Sequence, residues 1–148
     1  AYHDILRQEI PIEQINSIKA LDYKNKVFLT THPEVVPYLP IYLFLSPKIH
    51  FTHPNALYME RVAFLEDLEN SYDAEEFYLK IINCKFDIIN FFYIDDHNTT
   101  HLSYIAEVHN YPESPLTQKF YYPKNYFNNQ SYFLSINING TIIYETVI

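Results

Sequence analysis

The hydrophobic period changes once along this chain, and that change constrains the fold more than any bulk figure. Up to about residue 84, apolar residues recur mainly at helical spacing; beyond it they alternate as in strands. Pro11 starts a first helix, with Ile12, Ile15, Ile18 and Leu21 on one face. Lys26–Thr31 reads as a strand, Pro33–Tyr38 as a short helical turn ended by Pro40, and Ile41–Leu45 as a buried extended run. A second helix is predicted from Asn55 to Glu69, with Leu57, Phe64, Leu65 and Leu68 sharing a face. Asp73 caps a third, with Glu76 three residues on as in a capping box, and Phe77, Tyr78, Ile81 and Ile82 as its apolar face.

In the second half Ile88–Ile94, Leu102–Val108, Thr117–Tyr122, Tyr132–Ile138 and Thr141–Val147 read as strands. Asp95 to Thr100 reads as the polar connection between the first two. Asn139-Gly140 between alternating flanks is a type I′ hairpin signal, because both central positions of that turn need positive φ. The expected fold class is α+β: a mixed or largely antiparallel sheet with about three helices packed on one side of it. One domain is expected over 1–148, since two would each be too small to bury a useful core.

A net charge of -8 and the lack of any basic run exclude a nucleic-acid partner and disfavour an anionic membrane surface. The single cysteine, Cys84, excludes an internal disulfide and a Cys-based zinc site, and reads as inert core. No apolar run approaches the ~20 residues of a membrane span. The longest, Val35 to Leu45, is cut by Pro37 and Pro40, and no signal peptide is visible. A first residue Ala1 rather than Met, and a strand ending near Ile148, fit a segment of a longer protein. The 15 tyrosines suggest sugar-stacking platforms, although a low-GC codon bias, also visible in Asn, Ile, Phe and Lys, accounts for them more simply.

The stretch Phe51-Thr52-His53-Pro54-Asn55-Ala56-Leu57-Tyr58-Met59-Glu60-Arg61 resembles a pattern in the C-terminal soluble domain of the galactan arabinofuranosyltransferase family. Leu29-Thr30-Thr31, Leu39-Pro40-Ile41-Tyr42, Lys119-Phe120-Tyr121-Tyr122-Pro123 and Tyr126-Phe127 are similar to that family as well, so the likeness runs from Val27 to Val147. The resemblance implies an accessory domain on the extracytoplasmic face of the cell membrane. Its partners would be the membrane-embedded part of the same polypeptide and a cell-surface glycan acceptor. In that family the membrane part transfers a pentose from a polyprenyl-phosphate donor and carries the catalytic acid, so no catalytic residue and no cofactor are expected in this chain.

The ligand-binding residues expected are His53, Tyr58, Arg61, Asp95, Asp96 and Tyr104, around one cleft. Arg61 interrupts an apolar stripe: it is either a structural ion pair or a two-pronged clamp for a phosphate or sugar hydroxyl. His53 either fixes the helix entry with Pro54 or touches ligand. Asp95-Asp96 follows a strand, where acids serve as ligands, but a turn selects Asp for conformational reasons too. His50 and His53 with Asp95, Asp96, His97 and His101 raise the possibility of a metal-dependent hydrolase. An extended His-x-x-His points its two rings to opposite faces, which weighs against that reading. A stand-alone protein-interaction module is the remaining alternative. No Ser stands in a Gly-flanked elbow, and one glycine in the chain excludes the usual phosphate-cradling loops.

Overall fold

The computed structural model describes residues 9–47, 57–109 and 116–148. Three α-helices, α1 (Ile12–Lys19), α2 (Tyr58–Glu69) and α3 (Ala74–Ile82), accompany eight strands among these residues. The strands are β1 (Val27–Thr30), β2 (Tyr42–Leu43), β3 (Phe91–Tyr93), β4 (Asp95–Asp96), β5 (His101–His109), β6 (Leu116–Pro123), β7 (Phe133–Ile138) and β8 (Thr141–Thr146). Short 3₁₀ turns occupy Pro33–Tyr38 and Lys124–Phe127. The fold is α+β, as expected, but it contains two sheets. A five-stranded mixed sheet has the order β2-β1-β3-β8-β7, and a three-stranded antiparallel sheet the order β4-β5-β6.

β1 pairs in parallel with both β2 and β3, while β8 is antiparallel to β3 and β7. Parallel neighbours need long crossovers, and α2 and α3 supply the one that leads back to β3. The central strands are consequently covered on both faces and read as unbroken apolar runs rather than alternating ones. Phe28, Phe91, Tyr93 and Ile143 face α1 and the Pro33–Tyr38 turn; Leu29, Phe92 and Phe133 face α2, α3 and the smaller sheet. The expectation of three helices on one side is therefore corrected: α1 packs on the opposite face from α2 and α3. Each element has a single apolar stripe, and the doubly apolar strands demand cover on both sides.

Phe77 of α3 holds the two sheets together. Its ring centroid lies 5.3 Å from that of Phe127, 5.7 Å from Tyr122, 6.0 Å from Phe133 and 6.1 Å from Phe92. All five of these side chains are essentially inaccessible to solvent, and burying a ring of this size contributes about 1.5–3 kcal/mol each. Leu102, Tyr104, Ala106, Phe120 and Tyr122 are the inward residues of the small sheet. The outer edge of β6 is covered where the Tyr121 amide donates to Glu69 Oε2 of α2 (2.6 Å).

Local signals set most element ends. The Asp73 carboxylate accepts from the Glu76 amide (2.8 Å), and Glu76 reaches back to the Tyr72 amide (2.8 Å), closing the expected cap. The Tyr72 amide, first, and the Lys80 ammonium, second, hold the Glu76 carboxyl below the ordinary carboxylate range. Asn139 and Gly140 both take positive φ (52° and 88°), and Asn137 Oδ1 accepts from the Gly140 amide at 3.0 Å. Leu57, expected on the buried face of α2, is instead exposed at its start in a left-handed conformation, and Tyr58 and Val62 join Leu65 and Leu68 in the core. Cys84 is half-buried and packs against the core beyond the end of α3. No helix among the described residues is long and apolar enough to cross a membrane.

Candidate functional site

β1 and β3 run side by side in the same direction, so their carboxyl ends open onto the same end of the sheet. The chain leaves β1 toward β2 and leaves β3 toward the small sheet, and a crevice at such a divergence is the usual ligand position in open parallel sheets. A pocket of about 310 Å³ lies there. Its walls are Glu13, Gln14 and Ser17 of α1, His32, the run Tyr93 to Asp96, Leu102, the hairpin residues Gly140 to Ile142, and Tyr144.

His32 sits at the centre of the polar network. Past the end of β1 the His32 amide donates to Thr30 Oγ1 (2.9 Å), and the Thr31 amide donates to the Tyr93 carbonyl (3.2 Å). The imidazole then lies against the Tyr93 ring, centroids 4.6 Å apart, with Nε2 3.0 Å from Asp95 Oδ1 and Nδ1 3.3 Å from Glu34 Oε1. A neutral imidazole has one N–H and donates to one of these carboxylates; donating to both requires the imidazolium. Beneath it, burial lifts the Tyr93 phenol above its ordinary range; a hydrogen bond with Ser17 opposes that, and the Asp95, Glu34 and Glu13 carboxylates add to it.

Asp96 Oδ2 is 2.8 Å from Lys124 Nζ, which itself lies outside the pocket lining. Tyr144 stacks on Phe127 with centroids 4.5 Å apart, and its phenol is raised chiefly by burial, with Lys124 opposing and Asp96 reinforcing. Three carboxylates (Glu13, Asp95, Asp96) thus line a site with one basic group, His32; Glu34 contacts it through His32 and Lys124 through Asp96. Such a site repels phosphate and suits neutral groups that donate hydrogen bonds.

Of the six expected residues, the five that are described do not converge on one cleft. Asp95 and Asp96 line the pocket, yet they form the short strand β4 paired with Ser103 and Leu102 rather than a loose connection. Arg61 lies outside it: its guanidinium donates to the Phe44 carbonyl (3.0 Å) and to Asp87 Oδ2 (2.6 Å) and lies over the Phe44 and Phe86 rings. That is the structural ion pair of the two readings, in a half-buried setting. Tyr58 donates its hydroxyl to the Glu107 carbonyl (2.7 Å), and burial, with Glu107 adding, raises its phenol. Tyr104 is core, not cleft wall; burial lifts its phenol far above the usual range. His53, and with it His50, lies outside the described residues. Among those described, no group of three or more His, Cys, Asp or Glu is placed to hold a metal ion.

The sequence reading missed His32, Tyr93 and Glu13. The local signal for His32 was a lone histidine closing a buried strand ahead of Pro33, which gains meaning only once β3 is known to lie alongside. Fold and pocket together define an α+β domain with a polar, acid-rimmed pocket at the carboxyl ends of two parallel strands. No protein-family model matches the chain, and a comparison with curated protein sequences finds no match.

Proposed function

We propose that this chain is an accessory domain of a membrane glycosyltransferase, positioned on the extracytoplasmic face of the cell membrane, and that it holds a neutral glycan acceptor in the pocket around His32. The observation that carries the reading is the chemistry of that pocket. Sugar hydroxyls both donate and accept, and the pocket offers carboxylates, amide and hydroxyl side chains and an imidazole within about 310 Å³. Its negative rim and the net charge of -8 oppose a phosphorylated donor and leave the acceptor as the ligand. The membrane-anchored setting rests on the likeness of the His53 to Arg61 stretch to the arabinofuranosyltransferase family, and the chemical transfer is assigned to the membrane-embedded part of the same polypeptide.

Two measurements test the two halves of this reading. Titration of the labelled chain with arabinogalactan oligosaccharides should shift the amide resonances of Ser17, His32, Tyr93, Asp95 and Thr141. No shift at millimolar oligosaccharide would end the glycan assignment. Reading the gene upstream of Ala1 should reveal several apolar stretches of ~20 residues. A start codon close to Ala1 with none before it would end the transferase assignment.

A further inference from the structure

Every sheet has two edges, and exposed edges invite pairing with another strand. Among the described residues, three of the four edges here are short or guarded. β2 and β4 are two residues each, while β6 carries an exposed lysine, Lys119, ends at Pro123 and is bonded by Glu69 at Tyr121. The fourth, β7, is six residues long, pairs with β8 without a bulge, and has no strand beyond it.

The register shows which of its backbone groups are free. The Val147 amide donates to the Tyr132 carbonyl, while the Thr146 amide points the other way, to Asn90 of the β3 side. Antiparallel pairs alternate, so Leu134, Ile136 and Ile138 bond β8, and Phe133, Ser135 and Asn137 point their backbone groups outward. The Phe133 amide is already bonded to the Asn129 carbonyl, which leaves Ser135 and Asn137 as the open stretch.

We propose that β7 is a homodimerisation edge, pairing antiparallel with β7 of a second copy about a two-fold axis through Ile136. In that register Ser135 and Asn137 of one copy exchange N–H···O bonds with Asn137 and Ser135 of the other. Ile136 meets its own symmetry mate and Leu134 meets Ile138, continuing an apolar row on one face. Leu134 is 45% exposed in the single chain and gains cover. The charge distribution selects this occupant. Two copies of a chain with net charge -8 repel at most approaches, yet from Asn125 to Tyr144 there is no Asp, Glu, Lys, Arg or His. β7 also lacks the lysine, proline or bulge that guards other edges.

The test is sedimentation of the full chain over a concentration series, read together with amide hydrogen exchange. A dimer of twice 17.7 kDa should form at high micromolar concentration, and the Ser135 and Asn137 amides should gain protection as it forms. Ser135→Pro removes an outward donor without touching the β8 ladder, and Leu134→Lys adds a guarding charge at an exposed position; each should leave a monomer with an unchanged circular dichroism spectrum. If the proline variant fails to fold, the lysine variant decides. A wild-type chain that stays monomeric throughout would overturn the proposal. So would a dimer with unprotected Ser135 and Asn137, or one that survives in a folded Leu134→Lys variant.

Discussion

His32 Nε2 and Asp95 Oδ1 lie 3.0 Å apart although 63 residues separate them in sequence. The pair bridges the carboxyl ends of β1 and β3 and places the imidazole over the Tyr93 ring. Asp95 is largely exposed, so the interaction contributes at most about 1 kcal/mol to stability. Asp95→Asn and His32→Gln should therefore shift the melting temperature little, yet each should weaken oligosaccharide binding several-fold. Calorimetric titration beside thermal melts separates the two effects; equal losses in both would mean the pair only braces the fold.

Arg61 should behave as a structural residue. Arg61→Met removes charge-assisted bonds to Phe44 and Asp87 and should cost about 1.5–3 kcal/mol in urea unfolding. Arg61→Lys should recover less than half of that, since one ammonium does not reproduce the planar two-sided geometry. Oligosaccharide affinity measured on the folded variants should be unchanged.

Phe77 anchors the junction of the two sheets, and Phe77→Ala should cost about 3–5 kcal/mol. Leu79, two residues on and 44% exposed, is the control: Leu79→Ala should stay within about 0.5 kcal/mol. Similar losses at both positions would disprove the ring cluster as the main tie.

Gly140 needs its conformation, not its small size. A Cβ built there meets nothing within 4 Å, but φ is +88°. Gly140→Ala should cost about 1 kcal/mol from backbone strain alone, whereas Gly140→Asn should cost clearly less. Chemical denaturation of the two variants side by side reads the difference.

The tyrosine core sets an alkaline limit. Burial raises Tyr104 and Tyr122 above the ordinary phenol pKa, with neighbouring Tyr58 adding at Tyr104 and Glu69 adding at Tyr122. A pKa raised on folding means the unfolded chain loses its proton first. The stability this provides is complete below about pH 10 and declines as pH rises above that value. Tyrosinate absorbance, free of tryptophan in this chain, should show these phenols ionising together with loss of secondary structure. Smooth, independent titration of all tyrosines in a folded protein would contradict it.

Much of the architecture was legible because its causes are local. Helical spacing in Phe77–Ile82, the Asp73 cap and the Asn139-Gly140 turn each depend on contacts within about four residues, and all three stand where the sequence placed them. The sequence likewise determined that Arg61 would need partners, since its apolar stripe allowed burial of nothing else charged. It could not say which. Asp87 and the Phe44 carbonyl became those partners only when α2 packed across the sheet.

The site was decided by tertiary structure. Asp95 and Asp96 could be picked out as acids after a strand, but the pairing of β1 with β3 brought His32, Glu34 and Tyr93 beside them, and α1 closed the wall with Glu13 and Ser17. Tyr104 and Tyr58 went the other way, into the core, because neither the alternation in β5 nor the apolar stripe of α2 reveals what each face will pack against. The physical reason is common to all of these. A strand's period tells which residues share a face, while the choice of neighbour follows from burying both faces of β1 and β3 at once. That requirement is met only when elements tens of residues apart are assembled together.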